Sequence, residues 1–148
     1  VFINDIHAIG LKTAQGLTFI EAWYWDTSDD NRAFAKEFAA ANKGNRPSMV
    51  QAGVYSAVTH YLKAVHALGS DADGVKVVEK MKATPTDDKL FGKGTIRADG
   101  RKIHDLMLVE VKKPEESKGP WDYHKIIATI PAAEAFRPLA DGGCPLVK

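Results

Sequence analysis

Ser48-Met49-Val50-Gln51-Ala52-Gly53-Val54-Tyr55-Ser56, continuing through Leu68 to Gly69, decides how the rest of the sequence is read. Ser48 to Gln51 is short and reads as an extended strand of the sort found inside an α/β sheet. Behind it, Val54, Val58, Tyr61, Val65 and Leu68 recur at alternating spacings of three and four, the pattern of a helix with one apolar face. Gly69 stands at its stop. A strand feeding directly into such a helix is the repeating unit of α/β proteins.

The flanks extend that order. Upstream, Asn31 to Asn42 is helical, with Phe34 and Phe38 one turn apart, Gly44 as its stop and Pro47 barring resumption. Asp26 to Asp30 supplies capping side chains before it. Leu17 to Trp25, rich in aromatic and β-branched residues, reads as a strand, and Asp5 to Lys12 as a loop. Val1 to Asn4 is a short apolar run that reads as the tail of a buried strand. Downstream, Asp73 caps a helix carrying Val75, Val78 and Met81, ended by Pro85. Gly94–Arg97 and Ile103–Val111 flank Ala98-Asp99-Gly100-Arg101, a tight-turn signature. Leu106 to Val109 is apolar on both faces, as expected of a strand covered on both sides. Lys112 to Lys118 reads as a charged surface loop, Tyr123 to Ile130 as a strand, and Pro131 to Phe136 as a short helix. The fold class is therefore α/β.

Composition narrows the function. The 148 residues carry 20 Lys+Arg against 19 Asp+Glu, for a net charge of +1, with 45% hydrophobic residues and one cysteine. Those proportions describe a folded globular chain, and the near-zero charge argues against nucleic acid as a partner. No apolar run approaches the roughly 20 residues of a membrane helix.

Catalytic and metal-binding patterns are scarce. His60 and His66 share one helix but lie about 240° apart around its axis, so they do not converge on one ion. His7, His104 and His124 stand alone, and neither a His-Glu-x-x-His stretch nor paired cysteines occur, so no metal or cofactor is expected. Gly92-Lys93-Gly94 and Gly142-Gly143 lack what a phosphate loop requires, and no Gly-x-Ser-x-Gly elbow is present. Lone Cys144 reads equally as a free thiol or as the partner of a cysteine outside this chain.

Two places invite a ligand. Trp23, Tyr24 and Trp25 stand in succession, and on a strand they point alternately to both faces, so one ring can form a stacking wall beside a pocket. At the strand-to-helix turn, Gln51 and Tyr55 offer hydrogen-bonding groups where helix N–H groups favour a carboxylate.

Ala14-Gln15-Gly16-Leu17 running into Trp23-Tyr24-Trp25-Asp26, the helix of Phe34, Ala35 and Phe38, and Tyr55-Ser56-Ala57 leading to Ala64 and Ala67-Leu68-Gly69 follow one another in a telling order. With Phe91-Gly92-Lys93-Gly94-Thr95-Ile96 and the turn at Asp99-Gly100, the series resembles the C-terminal part of type I periplasmic solute-binding proteins of the branched-chain amino-acid receptor group. The resemblance implies two α/β lobes, each a mostly parallel sheet flanked by helices, with a solute in the cleft between them. It implies that residues 1–22 belong to the second lobe and 23–26 to a hinge crossing. Residues 27–105 then belong to the first lobe and 106–148 return to the second. Val50, Gln51 and Ala52 would approach the ligand with Tyr55 just behind. Trp23 and Trp25 would stand near the cleft, and His7 on a loop within reach of it.

The function implied is the substrate-binding component of an ABC importer in the periplasm. Its partners would be a small solute, a membrane permease and the remaining N-terminal part of the same receptor. Aromatic residues near the hinge favour a branched-chain or aromatic amino acid, or an aromatic carboxylate. Two other readings stand beside it: the same fold as a ligand sensor in signalling, and a small α/β enzyme with His7, His104 or His124 as base. On the resemblance, Val1 marks a truncation within a strand and the chain is a fragment.

Overall fold

The computed structural model describes residues 1–147. Twelve regular elements follow in order: helices α1 (Ile3–Ile9) and α2 (Leu11–Ala14), strand β1 (Thr18–Glu21), helices α3 (Asp29–Ala41), α4 (Met49–Leu68) and α5 (Gly74–Ala83), strands β2 (Thr86–Asp88), β3 (Gly92–Ile96), β4 (Lys102–Ile103), β5 (Leu106–Val111) and β6 (His124–Ile130), and helix α6 (Ala132–Ala135). The α/β class holds. By internal contacts the chain divides into two compact units, one of Val1–Ala52 with Asp105–Ile130, the other of Gly53–His104 with the segment from Pro131. The boundary runs through α4.

In the first unit, β1, β5 and β6 form a sheet in the order β1-β5-β6. Thr18 faces Glu110 and Glu21 faces Met107 on one side of β5, while Leu106 faces Ile130 and Val111 faces His124 on the other. A register shift between Leu108 and Val109 bends the central strand. Ile3, Ile6, Ala14, Tyr24, Val111, Trp121 and Tyr123 make the core, with Leu11, Phe19, Trp25 and Met107 against it.

Four sequence readings are corrected here. Val1 to Asn4 is not a strand, and Asp5 to Lys12 is not a loop. Only Phe2 is extended, and α1 starts at Ile3 because the Asp5 carboxylate accepts the Phe2 N–H at 2.7 Å and Ile3 and Ile6 bury one helical face. Ser48 to Gln51 is the start of α4 rather than a strand, for the cap described below. The expected strand through Trp25 ends at Glu21, opposite Met107, where Ala22 N–H turns to the Met49 sulfur at 3.3 Å.

The pairings inside this chain are antiparallel, not parallel. A parallel pair needs a crossover, usually helical, whereas β5 returns into β6 through a loop and β2, β3 and β4 are joined by turns.

The second unit holds the sheet β2-β3-β4. The Asp99-Gly100 turn forms as its sequence suggests: Arg97 N–H bonds to Arg101 O at 2.9 Å, and Gly100 takes φ 84°. The second arm breaks into β4 and β5. A Cβ on Gly94 would lie 2.6 Å from Ile103 O, so only glycine admits the close approach of these strands. Asp73 caps α5 by accepting from Val75 and Lys76 N–H at 3.1 and 3.2 Å.

Helix α4 presents two faces. Ala52, Ser56, His60 and Ala64, four residues apart, are buried. Ser56 Oγ bonds to Asp88 Oδ2 at 2.6 Å, Lys102 Nζ reaches both, and His60 Nε2 meets Met81 O at 2.9 Å. The opposite face carries the apolar stripe read from the sequence: Val54 is exposed by 59% and Val58 by 50%, Tyr61 and Leu68 are exposed, and Val65 is half-buried, with exposed Leu62 beside them. Among the described residues no helix is long and apolar enough to cross a membrane.

Candidate functional site

Beyond Glu21 the chain leaves its strand, so Trp23, Tyr24 and Trp25 are released from simple alternation and enter three environments. Trp23 is buried edge-on against Phe34, ring centroids 5.8 Å apart, and its indole N–H has no partner among the described residues. Tyr24 is buried beside His124 at 4.9 Å, and its hydroxyl donates to Trp121 O at 3.3 Å. Trp25 is half-buried: its indole N–H donates to the same carbonyl at 2.8 Å, and the Arg46 guanidinium sits over its ring, 4.8 Å from the centroid.

Trp121 is the hub of this cluster. It has φ 72°, a left-handed backbone that costs a bulky residue about 1–3 kcal/mol. The two hydrogen bonds to its carbonyl, and the turn closed by Asp122 N–H on Gly119 O at 3.2 Å, hold it there. His7 lies flat on the indole, centroids 3.9 Å apart and planes 11° from parallel, while its Nδ1 meets Tyr123 Oη at 2.7 Å. His7 comes from α1, which the sequence reading took for a loop.

Of the titratable groups around it, Asp122 is paired, whereas Glu21 and His124 are buried and lack full hydrogen bonding among the described residues. Burial works to raise the Asp122 carboxyl, but the Lys112 ammonium and the Lys118 N–H outweigh it and hold the group below its ordinary range. Burial pushes Glu21 up to about 8, and one of its carboxyl oxygens has no partner among the described residues. Burial, with Lys112 adding to it, pushes His124 down to about 4, and neither ring nitrogen has a partner among the described residues. Glu21 and His124 are thus neutral near pH 7.

At the start of α4, Ser48 N–H and Oγ donate to Gln51 Oε1 at 2.9 and 2.7 Å, and Val50 N–H donates to Ser48 Oγ at 3.2 Å. This Ser-x-x-Gln cap is why the stretch is helical. It engages the Gln51 carbonyl oxygen. Val50 and Tyr55 are exposed on α4, and Ala52 is fully buried.

Of the residues singled out from sequence, His7 and Trp25 are brought together on Trp121. Trp23 faces Phe34, and Val50, Gln51, Ala52 and Tyr55 lie along α4. Trp121, Tyr123 and Arg46 were missed. The Gly119-Pro120 pair marks the turn that aims Trp121, but a positive φ at tryptophan is imposed by tertiary contacts. A concavity of about 360 Å³, lined by Leu11, Pro114, Ser117, Gly119, Pro120 and Tyr123, adjoins the cluster. No group of three or more His, Cys, Asp or Glu side chains that could hold a metal occurs among the described residues, and Cys144 is a free, half-buried thiol.

Residues 1–120 match the family model of the periplasmic binding proteins. The chain belongs to the periplasmic binding protein family. A periplasmic binding protein from Burkholderia mallei is 49% identical, with a TM-score of 0.93 over 100% of this chain and 39% of its own. A branched-chain amino-acid ABC transporter periplasmic ligand-binding protein from Burkholderia xenovorans is 43% identical, with a TM-score of 0.90 over 99% of this chain and 38% of its own. A solute-binding protein of an ABC transporter from Rhodopseudomonas palustris, solved with 3,4-dihydroxybenzoic acid, shares the fold at 20% identity, with a TM-score of 0.65 over 80% of this chain and 32% of its own. The chain thus spans about two fifths of the two Burkholderia proteins. No curated protein sequence matches it. The family is one of solute-binding proteins, and its ABC-transporter members set the context for the aromatic cluster.

Proposed function

We propose that this chain is part of the substrate-binding component of an ABC importer, working in the periplasm and handing a small carboxylate to a membrane permease. The solute, a branched-chain or aromatic amino acid or an aromatic carboxylate, sits in the cleft between the two lobes of the complete receptor. No bond is made or broken. The observation that carries this reading is the match to periplasmic binding proteins along residues 1–120, with 49% identity to one of them.

On this reading residues 1–22 and 106–148 belong to the second lobe, 27–105 to the first, and 23–26 cross between them. The pairing of β1 with β5 supports the joining of the first and last stretches. Trp25 and His7, held at Trp121, and Trp23, Val50, Gln51, Ala52 and Tyr55 contribute the cleft side of this portion. The lobes close on the solute by rotation at the crossing segments. The remaining N-terminal part of the receptor covers the exposed stripe of α4, since contiguous apolar surface of that kind marks an interaction face.

A thermal-shift screen of the complete receptor against amino acids, aromatic acids, sugars and polyamines tests the proposal. Stabilisation by a carboxylate is expected; stabilisation by sugars or polyamines alone contradicts it.

A further inference from the structure

The geometry points to Arg46 and His7 as the pair that recognises the carboxylate of a planar aromatic acid, an inference that rests on the receptor reading above. Arg46 is half-buried, lies over the Trp25 ring and makes no ion pair among the described residues. Its carbonyl is held by Asn4 Nδ2 at 3.4 Å. Asn4 and His7 stand three residues apart on α1 and so share a face, which brings Arg46 and His7 to one surface of the first unit. His7 is exposed, stacked on Trp121 and tied through Nδ1 to Tyr123, which leaves Nε2 as its outward edge.

Two donor groups are thus each backed by an indole, and the indoles are themselves linked through Trp25 N–H and Trp121 O. An arginine held over a tryptophan face loses little freedom when it pairs with a carboxylate, and its planar fork suits bidentate contact. The exposed face of the His7 ring offers a plane for an aromatic ring. The carboxylates that flank this surface are engaged elsewhere: Asp26 with Arg32, Asp122 with Lys112, and Asp5 with Phe2 N–H. The surface therefore supplies donors for an acid group and aromatic planes, and lacks an unengaged acceptor for an ammonium group among these. The strained backbone of Trp121, fixed by two side-chain donors, sits at its centre, as functional sites often carry such strain.

The test is titration calorimetry on the complete receptor with 4-hydroxybenzoate, its neutral amide 4-hydroxybenzamide, and leucine. The acid binds at least tenfold tighter than the amide. Arg46→Gln weakens acid binding roughly 10–100-fold, the equivalent of a lost charge-assisted hydrogen bond. Arg46→Lys recovers part of that loss, and His7→Ala weakens the acid about tenfold. The unliganded Arg46→Gln receptor keeps the parent melting temperature, which separates recognition from folding; His7→Ala, which also loses its stack on Trp121 and its bond to Tyr123, is judged by the ratio of its acid to amide affinity. Equal affinity for acid and amide overturns the inference, as does acid binding unchanged in both Arg46→Gln and His7→Ala. Leucine binding that ignores Arg46 overturns this inference and leaves the receptor reading standing. Failure of every carboxylate to bind overturns both.

Discussion

Leu106–Val111 in β5 and the Val54, Val58, Tyr61, Val65, Leu68 stripe of α4 both read from sequence as apolar surfaces that need covering. They meet opposite fates in this chain. Val109 and Val111 are buried and Leu106 to Leu108 half-buried, between β1 and β6 and beneath α1 and the aromatic cluster. The α4 stripe is exposed except at half-buried Val65, while the same helix buries its smaller Ala52, Ser56, His60 and Ala64 face. Periodicity reports that an apolar face needs covering. It does not report whether the cover comes from the same stretch of chain.

The largest effects should separate the two surfaces. Ile6 is fully buried within the first unit. Ile6→Ala is expected to cost about 2–5 kcal/mol in urea unfolding, in the 148-residue chain and in the complete receptor alike. Val54→Asp is expected to cost the complete receptor roughly 2–4 kcal/mol, because a charge is placed on a covered apolar face, and the 148-residue chain within about 0.5 kcal/mol. Equal costs of Val54→Asp in both would break the contrast, since the stripe would then have no partner in the receptor.

A middle-sized effect comes from the buried titratable groups of the first unit. Glu21 ionises near 4.5 when unfolded and about 8 when folded, so stability falls as pH rises through that window. His124 titrates near 6.5 unfolded and about 4 folded, so stability falls as pH drops below 6.5. The two slopes oppose each other between 4.5 and 6.5, and above 6.5 Glu21 acts alone. The melting temperature should therefore form a plateau at mildly acidic pH and decline toward pH 8. Glu21→Gln should flatten the alkaline decline, a gain of roughly 2 kcal/mol at pH 8. A variant with the parent's slope above pH 6.5 would show that Glu21 is not the group responsible. The smallest effect is at the cap of α5, where Asp73→Ala removes two acceptors and should cost about 1 kcal/mol by thermal unfolding.

How much was legible follows from where the determining contacts lie. The Asp73 cap, the Asp99-Gly100 turn, and helix α3 with its Ser28 cap are local, and their residues name them. Val1–Asn4 and Ser48–Gln51 misled because short apolar runs look extended. Their acceptor side chains, Asp5 in one and Gln51 in the other, were the quieter and correct signal. The antiparallel pairing was hidden because strand neighbours are set by connections, not by strand composition. At the candidate site, Trp23 to Trp25 announced themselves by their size. Trp121 did not, since its left-handed backbone is held by hydrogen bonds from Tyr24 and Trp25, far away in the sequence. Arg46 carried no signal of its own in the sequence, and only the structure sets it over Trp25.

Small-angle X-ray scattering of the complete receptor, with and without the acid or amino acid that most raises its melting temperature, tests the receptor reading most directly. A saturable contraction of the radius of gyration on adding solute is the predicted result, because binding and lobe closure are one event. Binding without any change in the radius, or no binding by any carboxylate, would contradict the account.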